Sequence, residues 1–278
     1  MNAPDGHRTR WRIHGLSVEG YRHLRSGIPC QDAWHHAVTE PSGTSGASGA
    51  SGGAVTVLAV ADGAGSRPSS DKGAELAVRL ATAHFARHAA ALTRFDSADP
   101  VHALLLDAFR AVRDEFLRRT GEGADDYAST LTVVVLAPTW LGYLSVGDGF
   151  VVLRSGTEGG DRQFHLLPPA DAPSEYSNET VFLTTKNAED WVRTACVRDY
   201  AVDGVLLSTD GLAQIALSWA DGRPLEPNTS FASAVLRSLD APGSDPAEDD
   251  AALAELLRSD RLTAINGDDK TLVRAVLR

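Results

Sequence analysis

The chain has 278 residues, 43% of them hydrophobic, and a net charge of −11 from 26 Lys and Arg against 37 Asp and Glu. That is core enough for one large domain or two small ones, and the acidic balance argues against nucleic acid and anionic membrane surfaces as partners. Two cysteines, Cys30 and Cys196, are too few for a disulfide framework, and no apolar stretch approaches the roughly 20 residues of a membrane span. Residues 1–12 show no apolar signal-peptide region, so the expected location is the cytoplasm. Residues 1–10 are expected to form a disordered tail, and 11–278 a single domain.

Trp11–Val18 reads as a first strand, 20–31 as a basic, turn-rich loop, and 33–38 as a second strand. Residues 41–53 are rich in Gly and Ser and read as a flexible hairpin tip. A core strand from Val55 to Asp62 follows. Helices are expected over 71–91, with Leu76, Leu80 and Phe85 on one face, and over 100–119, with Val101, Leu105, Phe109, Val112 and Phe116. Strands are expected at 129–137, Leu141–Val146, 150–154 and 164–167. Residues 168–188 read as an excursion holding a short strand at 180–185, and 191–200 and 205–208 as strands. The C-terminal part reads as a helix at 231–239, an acidic loop at 242–250, a last helix at 251–258 and a closing strand at 272–277. This order predicts an α+β fold, two stacked, mostly antiparallel β-sheets flanked by α-helices.

The Val55–Asp62 run is β-branched and aliphatic, the pattern of a buried strand, and it stops at Asp62-Gly63. A carboxylate there sits at the rim of the core. The device recurs at Gly147-Asp148-Gly149 and Asp210-Gly211, while Asp268-Asp269 precede the closing strand and Asp32 follows Pro29-Cys30-Gln31. Each Asp-Gly alone is an ordinary turn. Five acidic strand borders in one domain predict a carboxylate cluster, which repels itself unless cations lie between, and hard oxygen ligands select magnesium, manganese or calcium. Asp269 reads as a solvated turn residue, Cys30 and Cys196 as buried hydrophobes. His35 and His36, adjacent on a strand, face opposite ways and make no site.

Six motifs in order resemble the PPM (PP2C-like) family of metal-dependent serine/threonine phosphatases, closest to its short bacterial branch: Cys30-Gln31-Asp32-Ala33, Ala61-Asp62-Gly63-Ala64-Gly65, Ser129-Thr130-Leu131-Thr132, Val146-Gly147-Asp148-Gly149, Ser208-Thr209-Asp210-Gly211-Leu212 and Asp268-Asp269-Lys270-Thr271. The resemblance implies an α-β-β-α sandwich with a dinuclear Mn²⁺/Mg²⁺ site at one end. It implies that Asp62 bridges both ions, the Gly63 carbonyl binds the second, and Asp210 and Asp268 complete the first. Asp148 with Asp210 would serve a weaker third ion, and Asp32 would hold metal-bound water. Water activated by the ions would attack phosphorus in line. Implied partners are phosphorylated proteins and a cognate kinase.

The sequence departs from the family pattern at three places. Gln31 stands where many members have Glu, Ala64 where many have a proton-donating His, and Gly27 near the place of the phosphate-binding Arg. Arg25 is then the candidate phosphate clamp, with Arg22 and His23 as alternates. The alternative to an active enzyme is a pseudophosphatase acting as a binding module, and a more distant one a calcium-binding structural domain.

Overall fold

In the computed structural model, the strand Val55–Asp62 is buried on both faces. Val55, Val57, Ala59 and Ala61 pack toward helices, and Leu58 and Val60 toward a second sheet. Burial on both sides is why the run is apolar without alternation. The structure describes residues 10–40, 53–93, 98–156, 161–167, 180–199, 201–220, 223–240 and 245–278. The expected tail and nearly all of the Gly/Ser-rich loop lie outside the described residues.

The chain runs β1 (Trp11–Val18), α1 (Tyr21–Ser26), β2 (Asp32–Thr39), β3 (Val55–Asp62), α2 (Ser70–Arg87), α3 (Ala89–Leu92) and α4 (Ala98–Thr120). β4 (Leu131–Leu136), β5 (Leu141–Val146), β6 (Phe150–Ser155), β7 (Gln163–Leu166), β8 (Arg193–Val197) and β9 (Val202–Ser208) follow. Then come α5 (Ala213–Ala216), β10 (Leu217–Ala220), β11 (Arg223–Pro227), α6 (Thr229–Asp240), α7 (Pro246–Leu257), α8 (Asp260–Ile265) and β12 (Lys270–Leu277).

One sheet has the order β1-β12-β9-β6-β7 and the other β2-β3-β4-β5-β8, with antiparallel pairing throughout. Three apolar layers hold the molecule. α2 and α4 cover the second sheet, α5 to α8 cover the first, and Leu58, Val134, Tyr143, Val151, Leu207 and Val273 fill the space between sheets. This is the α-β-β-α sandwich expected from the sequence. The antiparallel connections bring the C-terminal ends of β3, β5 and β9 and the N-terminal ends of β2 and β12 to one end of it.

Several local expectations are corrected. The basic loop contains a helix, α1, which ends at Gly27 in the left-handed conformation (φ 64°). Residues 180–185 hold a turn rather than a strand: the Thr185 hydroxyl accepts the Phe182 amide at 2.9 Å and the Phe182 carbonyl accepts the Thr185 amide at 3.0 Å. Within the expected acidic loop a helix begins at Pro246: Asp245 caps α7 by accepting from the Ala247 amide, and Pro246 opens its first turn. α8 intervenes before the closing strand, and the β10–β11 hairpin has no counterpart in the sequence reading.

Candidate metal centre

Asp62 sits in a rigid frame. It ends β3 directly opposite Asp32, which opens β2. Its amide donates to Thr130 Oγ1 (2.9 Å), and its carbonyl accepts from the Thr130 amide (2.8 Å) and the Ser129 hydroxyl (3.1 Å). The Gly63 amide donates to the Gln31 carbonyl (3.0 Å) and the Ala64 amide to the Ala128 carbonyl (2.9 Å). Both sides of the strand end are thereby tied, and the carboxylate is pre-positioned.

Asp62, Asp148 and Asp210 converge, each placing one carboxylate oxygen within 4.8 Å of the others. They come from the end of β3, the β5–β6 turn and the turn after β9. Asp268 stands near enough to disfavour charge on all three, and its Oδ1 accepts the Asp269 amide (3.0 Å). Asp32 is buried, and its Oδ2 accepts from the Thr209 hydroxyl (2.7 Å), which in turn takes the Thr271 amide (3.2 Å). Thr180 donates to Asp148 Oδ2 (3.0 Å).

The field is that of crowded anions. Burial first, then Asp32, Asp210, Asp148 and Asp268, hold the Asp62 carboxyl far above the ordinary range. Burial pushes Asp32 up to about 7 against the Thr209 bond, and burial followed by Asp148 and Asp268 pushes Asp210 up to about 7. A cation between these groups removes the repulsion. The donors are all carboxylate oxygens, the set that hard divalent ions take. Gln31 Oε1 adds a buried acceptor with no partner among the described residues, suited to a bound water.

The basic residues lie on α1, which packs on the turn bearing Asp268. Gly20 approaches so closely that a Cβ there would fall 2.2 Å from the Asp268 carbonyl carbon. Arg22 donates its amide to the Gly267 carbonyl (3.1 Å) and lays its side chain beside Gly267, whereas Arg25 sits over the Tyr21 ring, 5.7 Å from its centroid. His23 Nδ1 is bonded to Asp269 Oδ2 (2.9 Å).

Asp269 is therefore no solvated turn residue. It is 3% exposed, and also accepts the Gly20 amide at Oδ1 (2.7 Å) and the Gln31 amide at Oδ2 (2.6 Å). Cys30 and Cys196 are half-buried rather than buried. Sequence reasoning assigned no role to Thr130, Thr209, Thr180 or Asp269. The first two lie inside quoted motifs, where a hydroxyl beside a strand-end acid was a usable signal. Asp269 also lies inside a motif, but its partners Gly20, His23 and Gln31 stand at the far end of the chain, and Thr180 carries no signal. A cavity of about 310 Å³ lined by Trp11, Thr56, Leu136, Trp140 and Leu277 opens at the other end of the sheets and holds none of these acids.

A sandwich with an acid cluster at its rim is the framework of a metal-dependent phosphatase that acts on serine and threonine phosphates. The chain belongs to the protein phosphatase 2C family, whose model matches residues 19–258. It is 28% identical over 274 residues to serine/threonine-protein phosphatase 3 of Escherichia coli (strain K12), covering 96% of this chain and 98% of that protein. Its fold matches the crystal structure of serine/threonine phosphatase Stp1 from Staphylococcus aureus with a TM-score of 0.59 at 13% identity, over 97% of this chain and 96% of the other. It also matches the catalytic domain of serine/threonine protein phosphatase PstP, solved in complex with two manganese ions, with a TM-score of 0.53 at 21% identity over 96% and 98% of the two chains.

Proposed function

We propose that the protein hydrolyses phosphoserine and phosphothreonine on proteins at a centre of two Mn²⁺ or Mg²⁺ ions. The observation that carries this is the meeting of Asp62, Asp148 and Asp210 from three separate strand ends. Asp62, the Gly63 carbonyl, Asp210 and Asp268 would hold the two ions, and Asp148 a weaker third. When bound, the ions neutralise phosphate charge and supply an acidified water. Asp32 and the unpartnered Gln31 Oε1 orient water by accepting its hydrogens, and Thr209 keeps Asp32 aimed. Arg22, whose side chain lies beside Gly267, would take phosphate oxygens in bidentate fashion, with Arg25 and His23 as alternates. Ala64 offers no proton to a leaving alkoxide. The two-manganese complex of PstP supports the choice of ion.

Among the described residues no helix is long and apolar enough to cross a membrane. The two thiols suit the cytoplasm, where a serine/threonine kinase would supply the substrates. The test is turnover of p-nitrophenyl phosphate and of a phosphothreonine peptide after EDTA treatment, with Mn²⁺, Mg²⁺ or Ca²⁺ restored singly. Activity should vanish with EDTA and return with Mn²⁺ or Mg²⁺. Turnover indifferent to EDTA, or none with any ion, would discard the two-ion centre.

A further inference from the structure

We propose that α1 is a docking ledge for the substrate chain, taking apolar side chains within a few residues of the phosphorylated serine or threonine. This rests on the phosphatase reading above and adds a substrate class to it. Tyr21 and Leu24, one turn apart on α1, are 51% and 57% exposed, and Ile28, just past the Gly27 turn, is 37% exposed. None of the helix's own six residues is buried. The helix therefore gains little from apolar packing within its own chain. Its attachment is polar: Asp269 holds the Gly20 amide and His23, and the Gly267 carbonyl holds the Arg22 amide. An isolated six-residue helix is unstable in water, so these bonds keep α1 in place with its apolar side chains facing out.

Two observations name the occupant. The first is position: α1 sits on the turn that carries Asp268, so a chain lying on it brings a phosphorylated residue to the carboxylate cluster. Ile265, two residues before that turn, is also exposed (45%). The second is charge. Residues 20–31 contain Arg22, His23 and Arg25 and no acid, in a chain of net charge −11. Apolar surface interleaved with guanidinium groups fits a peptide that carries a phosphate dianion among apolar neighbours.

The experiment compares two phosphothreonine peptides of equal length and charge, one with Leu and Phe flanking the phosphorylated residue and one with Ser at those positions. Each is assayed with Mn²⁺ on the wild type, Leu24→Ser and Ile28→Ser, with p-nitrophenyl phosphate as the control. The wild type should show a KM about fivefold lower for the apolar peptide, as expected for burying part of one or two aliphatic side chains. Each variant should close most of that gap by raising the apolar peptide's KM, leaving kcat and the control unchanged. Both side chains are exposed, so either variant should fold, and the two test the ledge independently. Equal KM values in the wild type, or an undiminished gap in both variants, would overturn the ledge. So would variants that weaken only self-association or binding to phosphatidylglycerol vesicles. Wild type inactive on p-nitrophenyl phosphate as well would instead sink the phosphatase reading beneath it.

Discussion

The surroundings of Asp62 oppose charge on its carboxyl, through burial and through four neighbouring acids. Removing the carboxyl leaves the fold without a group it disfavours in ionised form, and on the two-ion reading it deletes a ligand. Asp62→Ala and Asp210→Ala should therefore abolish Mn²⁺-dependent hydrolysis, at least about 10²-fold for loss of metal catalysis, with an unchanged circular dichroism spectrum. Retained turnover in either variant would remove that residue from the centre. The arginines separate in the same way. Arg22 lies against Gly267 and Arg25 over Tyr21, so Arg22→Ala should raise KM for phosphopeptides about tenfold, the loss of a charge-assisted contact. Arg25→Ala should change it less. Arg22→Lys should restore part of the loss, since ammonium lacks the planar fork. Kinetic constants with the opposite ranking would return the clamp to Arg25.

α1 and the turn before β12 form a unit joined through Asp269. Its carboxylate accepts two buried backbone amides and one histidine. Asp269→Ala leaves the Gly20 and Gln31 amides without acceptors, at about 1–3 kcal/mol each. The variant should lose about 2–4 kcal/mol in urea unfolding, and Asp269→Asn less, because one amide oxygen still accepts. Stability within 0.5 kcal/mol of wild type for Asp269→Ala, on the usual scale of a neutral surface change, would show that α1 is fastened otherwise. The strand-end frame of Asp62 differs in kind. It combines backbone bonds from Thr130 to Asp62 and from Ala64 to Ala128 with the Thr130 and Ser129 hydroxyls, so it is spread over several groups.

Across the molecule, the acid cluster makes stability without metal depend on pH. Asp32 and Asp210 have folded-state values raised to about 7 from 3.8. The folded form thus binds protons more tightly than the unfolded one, and stability from these groups falls as pH rises from about 4 to 7. His35, His36 and His84 are lowered, chiefly by burial, and act in the opposite sense below pH 6.5. The comparison is therefore with Asp210→Asn at each pH. In EDTA the variant should melt above wild type, by about 4 °C at pH 8 and by little at pH 4. On the two-ion reading, saturating Mn²⁺ should reverse the order, because only the wild type would keep every ligand. An Asp210→Asn advantage in EDTA that is the same at both pH values would show that repulsion at the cluster is not what costs the metal-free fold stability.

The sandwich was legible in the chain because its signals are local. Strands buried on both faces read as β-branched and aliphatic runs without alternation, as in Val55–Asp62 and Leu131–Leu136, and α4 carries its core face at helical spacing. Asp62, Asp148 and Asp210 were legible because each closes such a run at its border. Other features depended on distant partners. α1 is too short to fold by its own propensity, and Asp269 owes its burial to Gly20, Gln31 and His23, more than 230 residues away. Arg154 and Arg274 lie on the helix-facing side of β6 and β12, where alternation calls for apolar residues. They stay there because Asp203 and Asp240 pair with the first, and the Val235 carbonyl and the Ser238 hydroxyl receive the second. Periodicity reports which face of an element is covered. Which polar group meets which is decided by how the sheets stack, since a buried charge is tolerated only where the fold delivers its partner.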